Sequence, residues 1–308
     1  MTLDPAYLDY PHRKQGMDHD LYPWSNLFAR PPLTWADDKR LLTWIVVDLE
    51  WFPITPNDKP FRAPGHMQTA YPDYRHYTSR DYGNRVGIYR LLDAAEKVGA
   101  RISVAANGAI AQRYAQLVRD IVAAGHEIIA HSTDMNGTIA SGIGKDVERD
   151  LIARSLNMIE AASGIRPEGW LSIARSQSFD TPALLAEAGL AYMCDWVNDD
   201  LPYAMDTASG RIINLPLNHE LSDRQILTVQ QHSADSYCEQ IQDAFAWLDS
   251  EATTHGGRIL PLNVTPYIMG LPYRIGAFER LLGWLATQPG HGFATGRDIV
   301  AQVAPKLG

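Results

Sequence analysis

The sequence is short of cysteine, of basic charge, of glycine-rich phosphate loops and of long apolar runs, and each shortage removes a class of protein. Two cysteines, Cys194 and Cys238, are too few for a disulfide framework or a cysteine-rich zinc site, and they read as reduced, packed thiols. With 27 Lys plus Arg against 36 Asp plus Glu, the formal charge is −9. A nucleic-acid binder needs a basic stripe to neutralise phosphates, and an anionic lipid surface repels such a chain. No run approaches the ~18 apolar residues that span a bilayer. The opening MTLDPAYLDYPHRKQGMDHD has no basic segment followed by an apolar one, so no signal peptide is expected and the expected compartment is the cytoplasm. Neither GxGxxG nor GxxxxGK followed by Ser or Thr occurs, so nothing supports a nucleotide-binding open sheet.

What is present is alternation. Residues 1–40 are rich in Pro, Tyr, His and charge without a sustained period, and are expected to form an arm packed on a single domain spanning 41–308. LLTWIVVDLE, from Leu41, is a buried strand ending in carboxylates. Ile88, Leu91, Leu92, Ala95 and Val98 have helical spacing, with Gly99 suited to the position just past the helix. RISVAA and EIIAH read as strands, with a helix between them through Ile110, Leu117, Val118, Ile121 and Val122. Val147, Leu151, Ile152, Leu156 and Ile159 predict the clearest amphipathic helix. GWLSIA, AYMCDW, IINLP, QILTVQ and RILPLNV read as further strands. TPALLAEAGL, the stretch through Tyr237 to Leu248 and the stretch through Ile275 to Leu285 read as helices. About seven strand–helix units imply a parallel sheet closed, or nearly closed, into a barrel.

In barrels the chemistry lies at the C-terminal strand ends. In order these carry Asp48 and Glu50, Asn107, His131 with Asp134, Arg175, the run Asp195, Asn198, Asp199 and Asp200, Asn218 with His219, and Thr265. A purely structural barrel has no need of carboxylates there, so the pattern points to an enzyme. The plainer alternatives are that Asp48 or Glu50 pairs with Arg85 or Arg175, that His126 is a packing residue, that His232 and His255 are surface, and that Tyr71, Tyr74, Tyr77 and Tyr82 simply pack. The stretch 56–84 reads as a long aromatic and polar loop, a lid or a subunit contact.

VVDLEWF, GHEIIAHSTDMN, GWLSIARSQS, NDDLPY and LNVTPYIMGLPYRIG, in that order over residues 40 to 300, resemble the polysaccharide deacetylase superfamily (NodB-homology, carbohydrate esterase family 4). DYGNRVGIYRLL, the Arg-Ser run after GW and NDDLPY bring the resemblance closer to its allantoinase-like, cyclic-amide-hydrolase branch. The resemblance implies an α/β fold, a distorted (β/α)7 barrel, and a homo-oligomer. Metal-dependent members carry Asp-Asp on the first strand, His-x-x-x-His on the third and His-Pro late in the chain. Here the corresponding residues are Asp48 and Glu50 with Leu49 between, His131 with Met135, and Thr265-Pro266. A catalytic zinc needs about three protein ligands. Asp48, Glu50 and His131 are the candidates, with Asp134 a stretch, so a reaction requiring no cofactor is slightly favoured and zinc is the alternative.

Three functions compete. The first is hydrolysis of a C–N bond in a small cyclic amide, imide or ureide. Glu50, or Asp48, would be the general base on water, His131 would orient the carboxylate or stabilise the oxyanion, Arg175 would hold carbonyl oxygens, and Asp199 or Asp200 would accept ring N–H groups. Trp51, Tyr82, Arg85, Trp170, Asn198 and Tyr203 would complete the substrate contacts. The second is a metal-dependent N-deacetylase of an acetylated saccharide or amino sugar. The third is a non-catalytic barrel that binds a small molecule. In all three the partner is a small molecule, not nucleic acid or membrane.

Overall fold

The computed structural model describes residues 18–58 and 70–307. Its centre is β1 (Leu41–Leu49), buried along its whole length. A nine-residue strand of this kind exists because parallel neighbours cover both edges and packed layers cover both faces. Its side chains sort by the two-residue period: Leu41, Ile45, Val47 and Leu49 enter the larger core beneath the helices, and Leu42, Trp44 and Val46 enter a second core. Ala105, Ile129, Leu171 and Cys194, from four other strands or strand ends, join that second core, which fills the inside of the curved sheet. Asp48 and Glu50 continue the even-numbered series and inherit its inward direction.

The chain then adds α1 (Tyr74–Tyr82), a wide helical turn at Gly83–Gly87, α2 (Ile88–Glu96), β2 (Ser103–Ala106), α3 (Gly108–Arg113), α4 (Ala115–Ala123), β3 (Glu127–Ala130) and α5 (Lys145–Ser163). It continues with β4 (Gly169–Trp170), α6 (Thr181–Glu187), β5 (Tyr192–Met193), β6 (Tyr203–Thr207) and β7 (Gly210–Asn214). It ends with α7 (Ala234–His255), β8 (Arg258–Val264), α8 (Ile275–Ala286), β9 (His291–Phe293) and α9 (Gly296–Val303). The strand order is β6-β7-β5-β4-β3-β2-β1-β8, with β9 also paired to β1. Every ladder is parallel except β6 with β7. The result is an α/β half-barrel sheet wrapped by helices, the expected distorted barrel, and no ladder joins β8 to β7 among the described residues.

Two chain segments work at that opening. In the arm, the Leu21 carbonyl accepts from Asp206 N at 2.8 Å, the Leu33 carbonyl from Gly257 N at 2.7 Å, and Trp35 Nε1 donates to the Arg258 carbonyl at 3.1 Å, so the arm bridges β6 to the start of β8. At the strand tips, residues 215–229 cross from β7 toward β8. The opposite end is plugged by Glu127, which accepts from Tyr192 OH at 2.7 Å and Ser103 Oγ at 2.6 Å, with the backbone N–H of Arg297 at the start of α9.

Several expectations change. QILTVQ is not a strand but a wide helical turn, Arg224–Val229, in which Ile226 and Leu227 are buried at adjacent positions. Val147 is 59 % exposed, so the buried stripe of α5 begins at Glu148 and Leu151. The helix expected through 110–122 is two, broken at Tyr114. The stretch 56–84 is not one loop, because α1 occupies its second half, while 59–69 lie outside the described residues. Strands β6 and β9 and helix α9 carried too short a pattern to be read. His126 packs as expected, its Nδ1 accepting from Ile102 N at 3.2 Å, and Cys194 and Cys238 are free thiols. No described helix is long and apolar enough to cross a membrane.

Candidate active site

A cavity of about 380 Å³ opens at the C-terminal strand ends. Asp48 and Glu50 belong to its lining. Glu50 Oε1 accepts from Arg224 Nη2 at 2.9 Å and Oε2 from Tyr267 OH at 2.5 Å, and its backbone carbonyl accepts from Asn84 Nδ2 at 3.2 Å. Asp48 Oδ1 accepts from Asn263 Nδ2 at 2.8 Å. Asn263 lies on the inward face of β8 because Leu262 and Val264 on either side belong to the outer core. Burial pushes the Asp48 carboxyl up from its ordinary range and neighbouring Glu50 adds to this, against the pull of His131, Arg224 and Asn263.

His131 follows β3 by one residue and is inward by the same alternation, since Ile129 lies in the inner core. Its Nδ1 meets the Leu171 carbonyl at 2.6 Å, which requires a proton on Nδ1 and leaves Nε2 as the lone-pair nitrogen of the neutral ring. Nε2 is buried and has no hydrogen-bond partner. The backbone beneath is pinned: the His131 carbonyl accepts from Asn107 Nδ2, and Asn107 Oδ1 accepts from Trp51 N at 2.7 Å.

The wall from β4 and β5 is a polar network. Asp195 accepts from Ser172 N at 2.7 Å, Ser172 Oγ at 2.8 Å and Gln177 Nε2 at 2.6 Å. These bonds favour its charged form, but burial outweighs them and raises its pKa. Beside it, Ala174 and Arg175 both hold left-handed backbone, φ 53° and 55°. A non-glycine residue there costs about 1–3 kcal/mol and persists where the surroundings impose it. The effect is to turn Arg175 across the cavity, with Nε and Nη2 donating to the Leu217 carbonyl at 3.2 and 3.0 Å. Burial lowers its pKa, against the carboxylates of Asp48 and Asp195.

The crossing segment supplies the last wall: His219, Ser222, Arg224, Gln225 and Val229. Burial opposes the Arg224 charge, yet Glu50, Tyr267, Asp48 and Asp223 together raise its pKa. Asp223 anchors the segment to β8 by accepting from Thr265 N at 2.7 Å and Thr265 Oγ1 at 3.1 Å. Burial pushes Asp223 up to about 7.

These donors do not fit a zinc centre. Glu50 is held by a guanidinium at 2.9 Å, which would repel a dication placed at the same carboxylate. Met135, at the position of a second imidazole, is buried in the outer core and belongs to the rim around Phe52 and His76, not to this cavity. Asp134 Oδ1 accepts from Asn136 N at 2.8 Å, closing its own turn. Thr265 is engaged by Asp223. No group of three His, Cys, Asp or Glu suited to a metal occurs among the described residues.

The structure therefore brings together Asp48, Glu50, His131, Arg175, Asp195 and His219, and leaves the other candidates outside the cavity lining. Asp199 forms a double ion pair with Arg30 of the arm, at 2.9 and 2.7 Å. Tyr203 OH donates to Asn198 Oδ1 at 2.7 Å, Asn198 Nδ2 donates to Tyr22 OH at 2.5 Å, Tyr203 packs edge-on to Tyr22, and Asp200 lies in the same run on the arm side. Trp51 packs edge-on to Tyr77 and Tyr114 under Arg113. Tyr82 accepts from Arg90 at 2.6 Å, Arg85 is exposed, and Trp170 is fully buried with Nε1 donating to Ser172 Oγ at 2.9 Å. Neither Arg85 nor Arg175 pairs with Glu50; Arg224 does. His131 is oriented by a backbone carbonyl, not by a carboxylate. Sequence reasoning missed Arg224, Tyr267, Asn263 and Ser172. Only Asn263 left a signal, a polar residue on the inward register of a buried strand.

A family model described as polysaccharide deacetylase matches residues 75–193. A Schizosaccharomyces pombe protein described as a polysaccharide deacetylase is 23% identical over 240 residues, covering 72% of this chain and 73% of its own length. A crystal structure from Pseudomonas aeruginosa PAO1, also described as a polysaccharide deacetylase, superposes with TM-score 0.82 at 24% identity, over 92% of this chain and 99% of that one. A PuuE allantoinase superposes with TM-score 0.83 at 24% identity, over 92% and 98% of the two chains. The resemblance seen in the sequence thus holds in both family match and fold.

Proposed function

We propose, for a chain with the polysaccharide deacetylase fold, that it hydrolyses a C–N bond other than a peptide bond in a small cyclic amide, imide or ureide. The observation that carries this reading is the cavity chemistry: an unpartnered imidazole nitrogen, buried carboxylates and two guanidiniums, in a donor set unsuited to zinc. A planar cyclic substrate with several carbonyl oxygens suits two cationic forks. The fold likeness to an allantoinase supports the same reading.

In this mechanism His131 Nε2 takes a proton from water as the oxygen attacks the carbonyl carbon, and the Nδ1–H bond to Leu171 holds the ring in the tautomer that can accept it. Arg175 meets the developing oxyanion. Asp48, held by Asn263, stabilises the imidazolium electrostatically. Glu50 keeps Arg224 and Tyr267 in place, so the water-activating role first expected of it moves to His131. The carbonyl re-forms, the C–N bond breaks, and the nitrogen leaves with a proton.

The test is mass spectrometry of the protein incubated with cyclic ureides, cyclic imides and short N-acetylated sugars. A product heavier by one water supports ring opening. Loss of an acetyl group supports the second reading, a deacetylase, which the family match over 75–193 favours. A ligand retained without turnover would make the barrel a binding protein.

A further inference from the structure

We infer that His219 is the acid that delivers a proton to the departing nitrogen, an inference that rests on the hydrolase reading above. Cleaving an amide-type bond needs two proton movements, one off the attacking water and one onto the nitrogen, which otherwise leaves as a strongly basic anion. His131 is placed for the first.

Few side chains of the cavity can serve the second. Both Glu50 oxygens accept hydrogen bonds, from Arg224 and Tyr267. Asp195 accepts from Ser172 and Gln177, and the Ser172 hydroxyl is spent on Asp195. Asp48 neighbours His131 and accepts from Asn263, on the side of the attacking water. Guanidiniums do not release protons in proteins, and amides such as Asn263 and Gln225 are too weakly acidic. His219 remains.

Its geometry is that of a held proton donor. Nε2 lies 2.8 Å from Glu220 Oε1 at the outer edge of the cavity, so that carboxylate holds one ring nitrogen and fixes the ring's orientation. The opposite nitrogen, Nδ1, is buried with no hydrogen-bond partner, although the residue as a whole lines the cavity. Leaving a buried polar atom unmet costs about 1–3 kcal/mol, and a substrate nitrogen would satisfy it. The backbone is fixed on both sides: the His219 carbonyl accepts from Ser222 N at 3.0 Å and Ser222 Oγ at 2.6 Å, and Asn218 Oδ1 accepts from Glu220 N at 2.7 Å. His131 stands at the tip of β3 and His219 beyond β7, with β4 and β5 between them, so the two imidazoles approach a bound ring from different walls. The charged or titratable groups that share the cavity with His219 are Asp48, Glu50, His131, Arg175, Asp195 and Arg224.

The step balances. Water oxygen bonds to the carbonyl carbon and its proton goes to His131 Nε2. The oxyanion then re-forms the carbonyl, the C–N electron pair goes to nitrogen, and that nitrogen takes the proton from His219 Nδ1. One water is consumed, and exchange with solvent resets the two rings.

The experiment uses the full chain and two cyclic substrates, an imide whose nitrogen leaves as a weakly basic amide and a lactam whose nitrogen leaves as a strongly basic amine. His219→Gln is expected to lose about 10²–10³ in kcat on the second and under about tenfold on the first, and to lose the basic limb of the kcat–pH profile. Glu220→Gln, an exposed change, is expected to move that limb to lower pH, which keeps the idea testable if His219→Gln folds poorly. Equal losses on both substrates, or an unmoved basic limb in both variants, would overturn the role of His219 while leaving hydrolysis intact. A wild-type protein that opens neither ring overturns the hydrolase reading itself, and His219 as acid with it.

Discussion

Glu50 and Arg224 meet at 2.9 Å although 174 residues separate them, and Tyr267 closes on the same carboxylate at 2.5 Å. One tip of β1, the segment crossing the mouth and the turn after β8 are tied together by that one side chain, which is 4 % exposed. Removing either charge alone takes from the other its nearest buried counter-charge.

Glu50→Leu and Arg224→Met should therefore each destabilise the fold by about 3–5 kcal/mol in denaturant titrations, with Glu50→Leu/Arg224→Met together recovering most of the loss. Activity should not recover in the double variant. Additive losses would mean that the pair is not coupled.

His131→Gln should lower kcat by about 10²–10⁴ with little change in stability, and should abolish the acidic limb of the kcat–pH profile. Glu50→Gln should keep that limb, because its oxygens position Arg224 and Tyr267. Retention of the limb in His131→Gln would return the base role to Asp48 or Glu50.

Treatment with a strong chelator should leave turnover unchanged, and Met135→His should bind no stoichiometric zinc by elemental analysis, because residue 135 packs at the rim around Phe52. Loss of activity on chelation, restored by zinc, would put the metal-dependent deacetylase first.

A methyl group at Gly87 would lie 2.0 Å from the Pro266 carbonyl oxygen, a backbone atom that cannot step aside. Gly87→Ala should cost about 1–3 kcal/mol and, by shifting the turn that carries Tyr267, reduce kcat as well. A wild-type melting temperature would show that α2 can retreat from β8 at no cost.

His291 is 5 % exposed, its Nε2 shares a 2.8 Å hydrogen bond with Thr43 Oγ1, and burial lowers its pKa to about 4. The unfolded chain then binds this proton more readily than the folded one between about pH 6.5 and 4. Stability should be fully present above pH 6.5 and fall by on the order of 2 kcal/mol as pH drops through that window. His291→Gln should flatten this part of the stability–pH curve; an unchanged curve would assign acid sensitivity to other groups.

The sequence alone determined the strand–helix alternation, the long buried run of β1 and the strand-end placement of Asp48, Glu50, His131 and Arg175. These are local properties: a period of two aims Asp48 and Glu50 inward together, and a strand tip is legible wherever an apolar run meets a charge. Tertiary structure decided the rest. QILTVQ has the composition of a strand, and it turns instead because Arg224 and Asp223 at its start find Glu50 and Thr265 on the far side of the opening. Asp199 has the look of a site residue, and the arm's Arg30 claims it from a distance no pattern reveals. Which carboxylate a cation meets depends on contacts between residues more than a hundred positions apart, and which nitrogen of His131 is left unmet depends on a carbonyl 40 positions away. Hydrophobic periodicity carries no information about those pairings.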